Sequence, residues 1–293
     1  MELERDRQIK KSLLPSETSF TSELSCALEQ AQVALLCCNS QAMRDLCHTL
    51  KAHFDASANG KRPILVSCAK GLELNSLKRM SEVIREVLPE VAVCALSGPN
   101  LAGEILSGLP TAAVVACDDL AIAASVQQSL SVAKFRVYSN ADITGVELGG
   151  TLKNVIAIAA GGSDGLNLGV NAKAALLTRG LAEMSRISVH LGAKASTLAG
   201  LAGMGDLFAT CAGHLSRNYR LGLEMARGKS IAQVQQEVGS VIEGVPTTAA
   251  ICELSKRVGV ELPIAQLVQS TLLGEMAPGK AIMALMARPL ASE

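Results

Sequence analysis

Short apolar runs alternate with amphipathic stretches through the first half of the chain, and after Asn140 only helical patterns follow. Strand-like and helix-like patterns in alternation predict an α/β fold with a parallel sheet that helices cover on both faces. Consecutive helices without strands predict a separate, all-helical unit. The sequence therefore predicts two domains, residues 1–141 and residues 142–293.

The predicted strands span residues 33–38, 64–67, 91–96, 111–116 and 135–138. The predicted helices of the second half end at Gly, Pro or Ser and span residues 142–161, 171–191, 196–210, 217–227, 231–238, 247–258, 263–273 and 280–286. With 49% hydrophobic residues in 293, the chain can bury one large core or two ordinary ones.

The chain carries no net charge, because 27 basic residues balance 27 acidic ones. Nucleic acids and acidic membranes bind proteins through basic runs or patches. No such run occurs in this sequence, so neither partner is expected and any anion must be bound locally. No apolar run reaches the roughly 18 residues that suggest a membrane span, so none is expected.

Nine cysteines, an odd number, are scattered mostly among apolar neighbours, without the CxxC spacing of a zinc site. This pattern is typical of small core residues in a reducing compartment, not of disulfides or a metal centre. We therefore expect a cytoplasmic protein without a metal site.

Lys153 and Asn154 stand side by side in a helical pattern that otherwise holds mostly small and apolar residues. Burial disfavours the charged ammonium group and lowers its pKa, which makes such a lysine a candidate proton donor or acceptor near neutral pH. The alternative is a lysine whose stem is buried while its head reaches water. The local sequence fits both interpretations.

Two loops that follow predicted strands carry further candidates, because ligands of open α/β sheets bind outside the carboxyl ends of the strands. Lys70 follows one strand, and Gly98-Pro99-Asn100 follows the next. Taken alone, Lys70 also fits a solvated loop lysine, and Gly98-Pro99 also fits an ordinary turn.

In the helical half, Ser216 has the position of an N-cap and places Arg217 and Asn218 in the first helical turn. Free backbone N–H groups and the helix dipole favour an anion there, and a guanidinium adds a bidentate fork suited to phosphate. The alternative is a capped surface helix with an ordinary exposed arginine.

Six segments, in their order and spacing, resemble the NAD(P)-dependent glycerol-3-phosphate dehydrogenase family of the bacterial and plastid type. They are AKG at 69–71, LSGPNLAGE at 96–104, GTLKNVIAIAAGGSDG at 150–165, GLAGMGDL at 200–207, SRN at 216–218 and VIEG at 241–244. The resemblance covers roughly residues 15–275, and the LKNV segment with the GMGDL and SRN pair is its most specific part.

The resemblance implies a Rossmann-type domain followed by a helical substrate domain. It also implies an oxidoreductase that interconverts dihydroxyacetone phosphate and sn-glycerol 3-phosphate with NAD or NADP, and that supplies glycerol phosphate for phospholipid synthesis. By matching position, Lys153 would be the proton donor and acceptor at the substrate oxygen, which Lys70 and Asn154 would help to hold. Asp206 would orient the lysines or a substrate hydroxyl.

The resemblance also implies further contacts by position. On the substrate these are Gly98, Asn100, Ser216, Arg217 and Asn218, with Arg217 and Asn218 on its phosphate. On the cofactor they are Lys70, Ala102, Arg217, Val241 and Glu243. The chemistry agrees, because hydride delivered to a carbonyl carbon leaves alkoxide character on oxygen, which a poised ammonium can protonate. Asn100 is a departure, since the family usually carries Ser or Thr there.

A larger departure concerns the start of the family pattern, a strand, a GxGxxG turn, a helix and a second strand that bind the cofactor. This chain has no glycine before Gly60, and residues 1–23 align best with the segment after that unit, with Leu14-Pro15 as a matching signal. Either the sequence begins at an internal methionine of a longer gene, or the dinucleotide site is lost. We therefore expect an incomplete Rossmann-type sheet, without the first βαβ unit, and weak or no dinucleotide binding by the chain as written.

Two other functions stay open at this point. One is a different helical-domain reductase, similar to ketopantoate reductase or 6-phosphogluconate dehydrogenase, although the GMGDL and SRN segments argue against it. The other is an N-terminally truncated pseudoenzyme or a phosphate-ester-binding regulatory protein. The choice between NAD and NADP is open, and so is the oligomeric state, for which the apolar helical half suggests a homodimer.

Overall fold

Within residues 18–56, 62–213 and 215–287, which the computed structural model describes, five strands form one sheet in the order β1-β2-β3-β4-β5. The strands are β1 (Val33–Leu36), β2 (Ile64–Ser67), β3 (Val93–Ser97), β4 (Thr111–Ala116) and β5 (Phe135–Asn140). The interpretation of Leu14-Pro15 as a family signal lies outside the described residues.

Five helices accompany the sheet within the described residues. They are α1 (Leu24–Leu28), α2 (Met43–Ala56), which follows a 3-10 turn at Ser40–Ala42, α3 (Met80–Val87), α4 (Ala102–Leu106) and α5 (Leu120–Leu130). Among the described residues, those that follow the last strand form only helices and turns. The helices are α6 (Ile143–Gly165), α7 (Gly169–His190), α8 (Ala195–Leu198), α9 (Asp206–Cys211), α10 (Arg217–Ala226), α11 (Ile231–Val238), α12 (Gly244–Val258), α13 (Pro263–Leu272) and α14 (Pro278–Met286).

The predicted fold class, an α/β unit followed by helices, is confirmed, with one correction in the sheet. β1, β2 and β3 are parallel, and so are β4 and β5, but β4 runs antiparallel to β3, with Leu96 opposite Val115. The connection between β3 and β4 carries only the five-residue α4. Antiparallel neighbours need no crossover helix, whereas parallel neighbours do. The prediction of a wholly parallel sheet was wrong at this pair.

The sheet is covered on both faces because its apolar side chains alternate in direction along each strand. Leu65 packs with α2 and α3, whose buried side chains include Met43 and Met80. The next residue, Val66, packs on the other face with Val126 of α5. β3 is buried at every position, as expected of a strand that is covered on both sides.

Helix α6 is the central helix of the second half, and nearly all of its residues are buried. A helix that is apolar on every side must be surrounded by other elements. Its first turn packs against the sheet, where Ile143 and Val146 join Ala95 and Ala116. The N-cap Asp142 accepts a hydrogen bond from Gly145 N at 2.8 Å, which fixes where the helix begins.

A buried carboxylate adds a polar link between α6 and α3. Glu147 accepts hydrogen bonds from the backbone N–H of Ser81 and from Arg79 Nη1, both at 2.7 Å. Burial raises the pKa of Glu147, and the neighbouring Arg79 acts against that shift. This link fixes the position of the helix that carries the candidate lysine relative to the α/β half.

The helix predicted over residues 196–210 is broken in the structure, and that prediction was wrong. α8 ends at Leu198, a wide turn spans Leu201–Gly205, and α9 begins at Asp206. At Gly203 a Cβ would lie only 2.0 Å from the carbonyl oxygen of Leu198, so the chain folds back too closely for any side chain. The break places Asp206 at the start of its own helix.

The cysteines divide into two groups. Cys47, Cys94, Cys117, Cys211 and Cys252 are buried, as the sequence predicted, whereas Cys26 and Cys37 are exposed, and Cys38 and Cys68 are half-buried. The expectation that they are core residues was wrong for the second group. None of the helices in the described part of the chain is long and apolar enough to cross a membrane.

Candidate active site

Lys153 is buried inside the protein, so the alternative of a lysine that reaches water is wrong. Its side chain is 6% exposed and projects from α6 toward α9. The ammonium group forms an ion pair with Asp206 Oδ1 and lies 2.7 Å from Thr210 Oγ1. The described residues thus supply two acceptors to a group with three hydrogens, which leaves one for a substrate oxygen.

The environment of Lys153 favours its neutral form. Burial lowers its pKa, the nearby positive charge of Lys70 lowers it further, and the carboxylate of Asp206 only partly opposes these effects, so that the pKa is about 7. A lysine with such a pKa can both give and accept a proton near neutral pH. The structure therefore supports the sequence-based hypothesis of an acid/base lysine.

Asp206 joins the two candidate lysines. Its Oδ2 lies 2.7 Å from Lys70 Nζ, while its Oδ1 pairs with Lys153. Burial by itself would raise the pKa of Asp206, but the two ammonium groups outweigh burial and hold that pKa below its usual value. The carboxylate is therefore charged and fixed between both lysines.

Lys70 follows β2 and is held by three acceptors. Its Nζ donates to Asp206 Oδ2, to Gly98 O at 3.1 Å and to Asn100 Oδ1 at 2.9 Å. The three hydrogens of its ammonium group are thus engaged. A substrate oxygen at Lys70 would have to replace one of these acceptors, which makes Lys153 the better placed proton donor.

Asn154 and Asn218 connect this cluster to the helices behind it. Asn154 Nδ2 donates to Lys70 O at 3.3 Å, and Asn218 Nδ2 donates to Asn154 Oδ1 at 2.9 Å. Asn218 Oδ1 in turn accepts from Gly244 N at 2.9 Å. These hydrogen bonds fix the positions of α6, α10 and the start of α12 relative to one another.

Ser216 is the N-cap of α10, since its Oγ accepts a hydrogen bond from Tyr219 N at 3.2 Å. Arg217 follows it and is exposed; its Nη1 donates to Ser240 Oγ at 3.1 Å and to Val241 O at 2.8 Å. The expected phosphate contact of Arg217 stays a prediction, and the guanidinium has further hydrogens for it.

The loop before α12 also reaches the α/β half. Glu243 accepts hydrogen bonds from Ser40 N at 3.1 Å and from Ser40 Oγ at 2.8 Å. Val241 is exposed and lies beside Arg217. Ala102, the remaining predicted cofactor residue, is exposed in the first turn of α4, on the connection that follows Asn100.

Three polar residues of this region escaped prediction. Thr210 lies one helical turn after Asp206, and this i, i+4 spacing would have placed it beside the carboxylate. Ser97 ends β3, with its Oγ 3.5 Å from Asp206 Oδ2. Ser40 contacts Glu243, which lies 203 positions further along the chain, and no local sequence feature indicates this contact. In the part of the chain that the structure covers, no cluster of three or more His, Cys, Asp or Glu could hold a metal.

Comparison with known proteins gives two family matches that together span most of the chain. Residues 2–123 match the N-terminal part of NAD-dependent glycerol-3-phosphate dehydrogenase, and residues 142–283 match the C-terminal part.

Curated relatives are similar over nearly the whole chain. A glycerol-3-phosphate dehydrogenase [NAD(P)+] of Geobacter sulfurreducens is 46% identical over 280 residues, which is 94% of this chain and 82% of the relative. One of Carboxydothermus hydrogenoformans is 43% identical over 293 residues, covering 98% and 86%. The crystal structure of a glycerol-3-phosphate dehydrogenase from Coxiella burnetii superposes with a TM-score of 0.88 at 36% identity, over 94% of this chain and 83% of that one.

Proposed function

The chain belongs to the NAD(P)-dependent glycerol-3-phosphate dehydrogenase family, and we propose that it interconverts dihydroxyacetone phosphate and sn-glycerol 3-phosphate with Lys153 as the proton donor and acceptor. One observation carries this proposal above the others. Lys153 is buried, has a pKa of about 7, and keeps one ammonium hydrogen beyond those that Asp206 and Thr210 accept.

The cofactor supplies the hydride that reaches the carbonyl carbon of the substrate. As negative charge develops on the carbonyl oxygen, Lys153 Nζ delivers its proton to that oxygen. Asp206 holds the ammonium in place and, through Lys70, positions a second positive charge beside it. In the reverse direction neutral Lys153 removes the proton from the hydroxyl group of glycerol 3-phosphate.

Substrate binding is assigned to the residues around this cluster. Asn154 and Lys70 would hold the reacting oxygen, and Gly98 and Asn100 would contact the substrate beside Lys70. Arg217 offers an exposed guanidinium for the phosphate, beside the capped start of α10. Ser216 and Asn218 support that helix start, since one caps it and the other anchors it to Asn154.

The loop around Arg217 offers a cation to the anionic part of a dinucleotide. The exposed cation Arg217 lies beside Val241, and Glu243 fixes the same loop to the α/β half through Ser40. Positive charge of this kind suits a pyrophosphate. We propose that the cofactor is contacted by Lys70, Ala102, Arg217, Val241 and Glu243.

We also propose that the chain divides into two domains, residues 1–141 and 142–293. We further propose that the protein is a homodimer and is located in the cytoplasm. The free cysteines support the last of these, because disulfides are rare in the reducing cytosol. Light scattering of the purified protein would test the homodimer through its mass.

Turnover and binding measured on one sample test the function. In a version that carries the GxGxxG unit of the family, we expect oxidation of NADH or NADPH when dihydroxyacetone phosphate is added, and far slower oxidation with dihydroxyacetone, which lacks the phosphate. Calorimetry with glycerol 3-phosphate and fluorescence titration with NADH separate the two binding steps from the chemistry. Tight binding of both ligands without turnover would support the pseudoenzyme instead.

A further inference from the structure

Two cysteines lie side by side where β1 and β2 end. These strands are parallel, with Leu36 opposite Ser67, and the backbone N–H of Cys68 donates to Leu36 O at 3.0 Å. Cys37 and Cys68 are the next residues after these paired positions, so they lie side by side at the two strand ends. Neighbouring strands lie about 4.8 Å apart. A disulfide bridges Cα separations of about 4.4–6.8 Å, so this pair has the spacing for one.

The two thiols differ in exposure and in pKa. Cys37 is exposed, and the neighbouring thiol of Cys68 lowers its pKa to about 7. The thiol of Cys37 and burial both raise the pKa of Cys68. Cys37 is therefore the thiolate that reacts with an oxidant. Once Cys37 is oxidised, its negative charge no longer raises the pKa of Cys68, so Cys68 can lose its proton and attack.

The pair also stands next to the candidate active site. Cys68 precedes Lys70 by two residues, and Lys70 Nζ is held 2.7 Å from Asp206 Oδ2. Cys37 precedes Ser40 by three residues, and Ser40 binds Glu243 of the loop before α12. Both connections begin at the carboxyl ends of parallel strands, where ligands of such sheets bind.

We propose that Cys37 and Cys68 are a modification site, which hydrogen peroxide converts into a disulfide that lowers the dehydrogenase activity. The Cys37 thiolate attacks one peroxide oxygen, the O–O bond breaks, and a sulfenic acid and hydroxide form. Cys68 then loses its proton, and its sulfur attacks the Cys37 sulfur; the S–S bond forms and the oxygen leaves as water with that proton. The two sulfurs are oxidised by two electrons in all, and the peroxide is reduced.

The expected effect on activity follows from the place of Cys68 next to the Lys70 loop. A disulfide requires a fixed dihedral angle that two free thiols do not, so its formation constrains the backbone at both strand ends. Lys70 is coupled to this constraint because a single residue, Ala69, separates it from Cys68. A shift of about 1 Å in a positioning group can cost about 100-fold in rate, so a loss of about tenfold or more is expected.

The chain contains a natural control for the role of exposure. Cys94 of β3 and Cys117, just after β4, also lie side by side, next to the antiparallel pair Ala95 and Ala116, but both are buried. Burial raises the pKa of Cys94 to about 12, the opposite of the shift at Cys37. If proximity alone sufficed, this pair would be oxidised as readily as the exposed one.

The experiment treats the folded protein with hydrogen peroxide, blocks the remaining thiols, and maps disulfides by mass spectrometry of non-reduced peptides. We expect a Cys37–Cys68 linkage, loss of two of the nine thiols, no Cys94–Cys117 linkage, and recovery of both thiols with dithiothreitol. Cys37→Ser and Cys68→Ser should each abolish the linkage, whereas Cys38→Ser, which changes the adjacent thiol, should retain it. Absence of the Cys37–Cys68 linkage would overturn the site.

The activity measurement rests on the proposed function, whereas the mapping does not, so the two failures are distinguishable. Peroxide should lower turnover reversibly in the wild type and in Cys38→Ser, and should leave Cys37→Ser and Cys68→Ser within about twofold of their untreated rates. An equal loss in Cys37→Ser, or full activity in protein that carries the mapped disulfide, would overturn the effect on activity.

Discussion

The carboxylate of Asp206 pairs with the ammonium group of Lys153 in the interior of the protein, between α6 and the first turn of α9. The same carboxylate holds Lys70 through its other oxygen, so one anion is shared by two cations. Because burial and the second cation outweigh the anion, Lys153 has a lowered pKa even though it is ion-paired. The proposed chemistry depends on this balance.

Replacement of Lys153 tests its role as the proton donor. In the version that carries the GxGxxG unit, Lys153→Met should lower kcat for dihydroxyacetone phosphate by about 100-fold or more, since acid/base groups contribute roughly 10² to 10⁴ in rate. Steady-state kinetics measure the loss, and calorimetry should show nearly unchanged cofactor affinity. Lys173→Met is the control, because this lysine pairs with Asp164 at 2.6 Å and has no assigned role. A Lys153→Met enzyme with more than about a tenth of the wild-type kcat would remove Lys153 from the mechanism.

Replacement of Asp206 tests how the pKa of Lys153 is set. Asp206→Asn removes the charge that raises this pKa, so the pH midpoint of reduction should move below that of the wild type. Stability should also fall, by about 3–5 kcal/mol, because a buried ion pair loses its anion. Asp206→Glu keeps the charge and serves if the first variant does not fold. A midpoint at or above the wild-type value in Asp206→Asn would refute the assignment.

Replacement of Arg217 tests the phosphate contact. Arg217→Lys keeps the positive charge but loses the bidentate fork, so KM for dihydroxyacetone phosphate should rise about tenfold, with little change for dihydroxyacetone. The matched control is Arg227→Lys, at an exposed arginine that ends the same helix and pairs with Glu224. Equal losses for both substrates would show that Arg217 does not read the phosphate.

Two glycines of α6 test how closely this helix must approach the lysine cluster. A Cβ at Gly150 would lie 2.2 Å from Ser97 Oγ, whereas at Gly162 the nearest atom is 3.9 Å away. Gly162→Ala should therefore stabilise the protein by up to about 1 kcal/mol, the usual preference of a helix for Ala. Gly150→Ala should be destabilising, because overpacking costs about 1–3 kcal/mol. Urea unfolding measures both, and equal effects would contradict the close contact.

Much of the fold follows from local sequence, and its exceptions have physical reasons. β2 and β4 begin and end at the predicted residues, because apolar runs between turn residues are strong strand signals. The direction of β4 was not predictable from its residues, since the side chains of a strand alternate in the same way in both directions. The break before Asp206 depends on the close approach of Gly203 to Leu198, a tertiary contact without a local signature.

The site likewise contains features that local sequence predicts and contacts that it does not. The Ser216 cap was predicted from residue type and position, because capping is a local property. The local sequence left the burial of Lys153 open, because burial depends on the elements packed around a helix, and the role of this lysine came from the resemblance to a family. The meeting of Lys153 with Lys70 required the resemblance to a family, since the two residues stand on different halves of the chain. The contact between Ser40 and Glu243 joins residues near opposite ends of the sequence, and neither has neighbours that reveal it.

The pH dependence of turnover tests the central claim most directly. Reduction needs protonated Lys153, so kcat/KM for dihydroxyacetone phosphate should be level below pH 7 and fall as pH rises through the pKa of about 7. Oxidation of glycerol 3-phosphate needs the neutral amine and should rise through the same midpoint. Profiles measured in both directions over one pH range provide the test. Reduction that stays level to about pH 9, as expected of a lysine with the ordinary pKa near 10.4, would contradict this account.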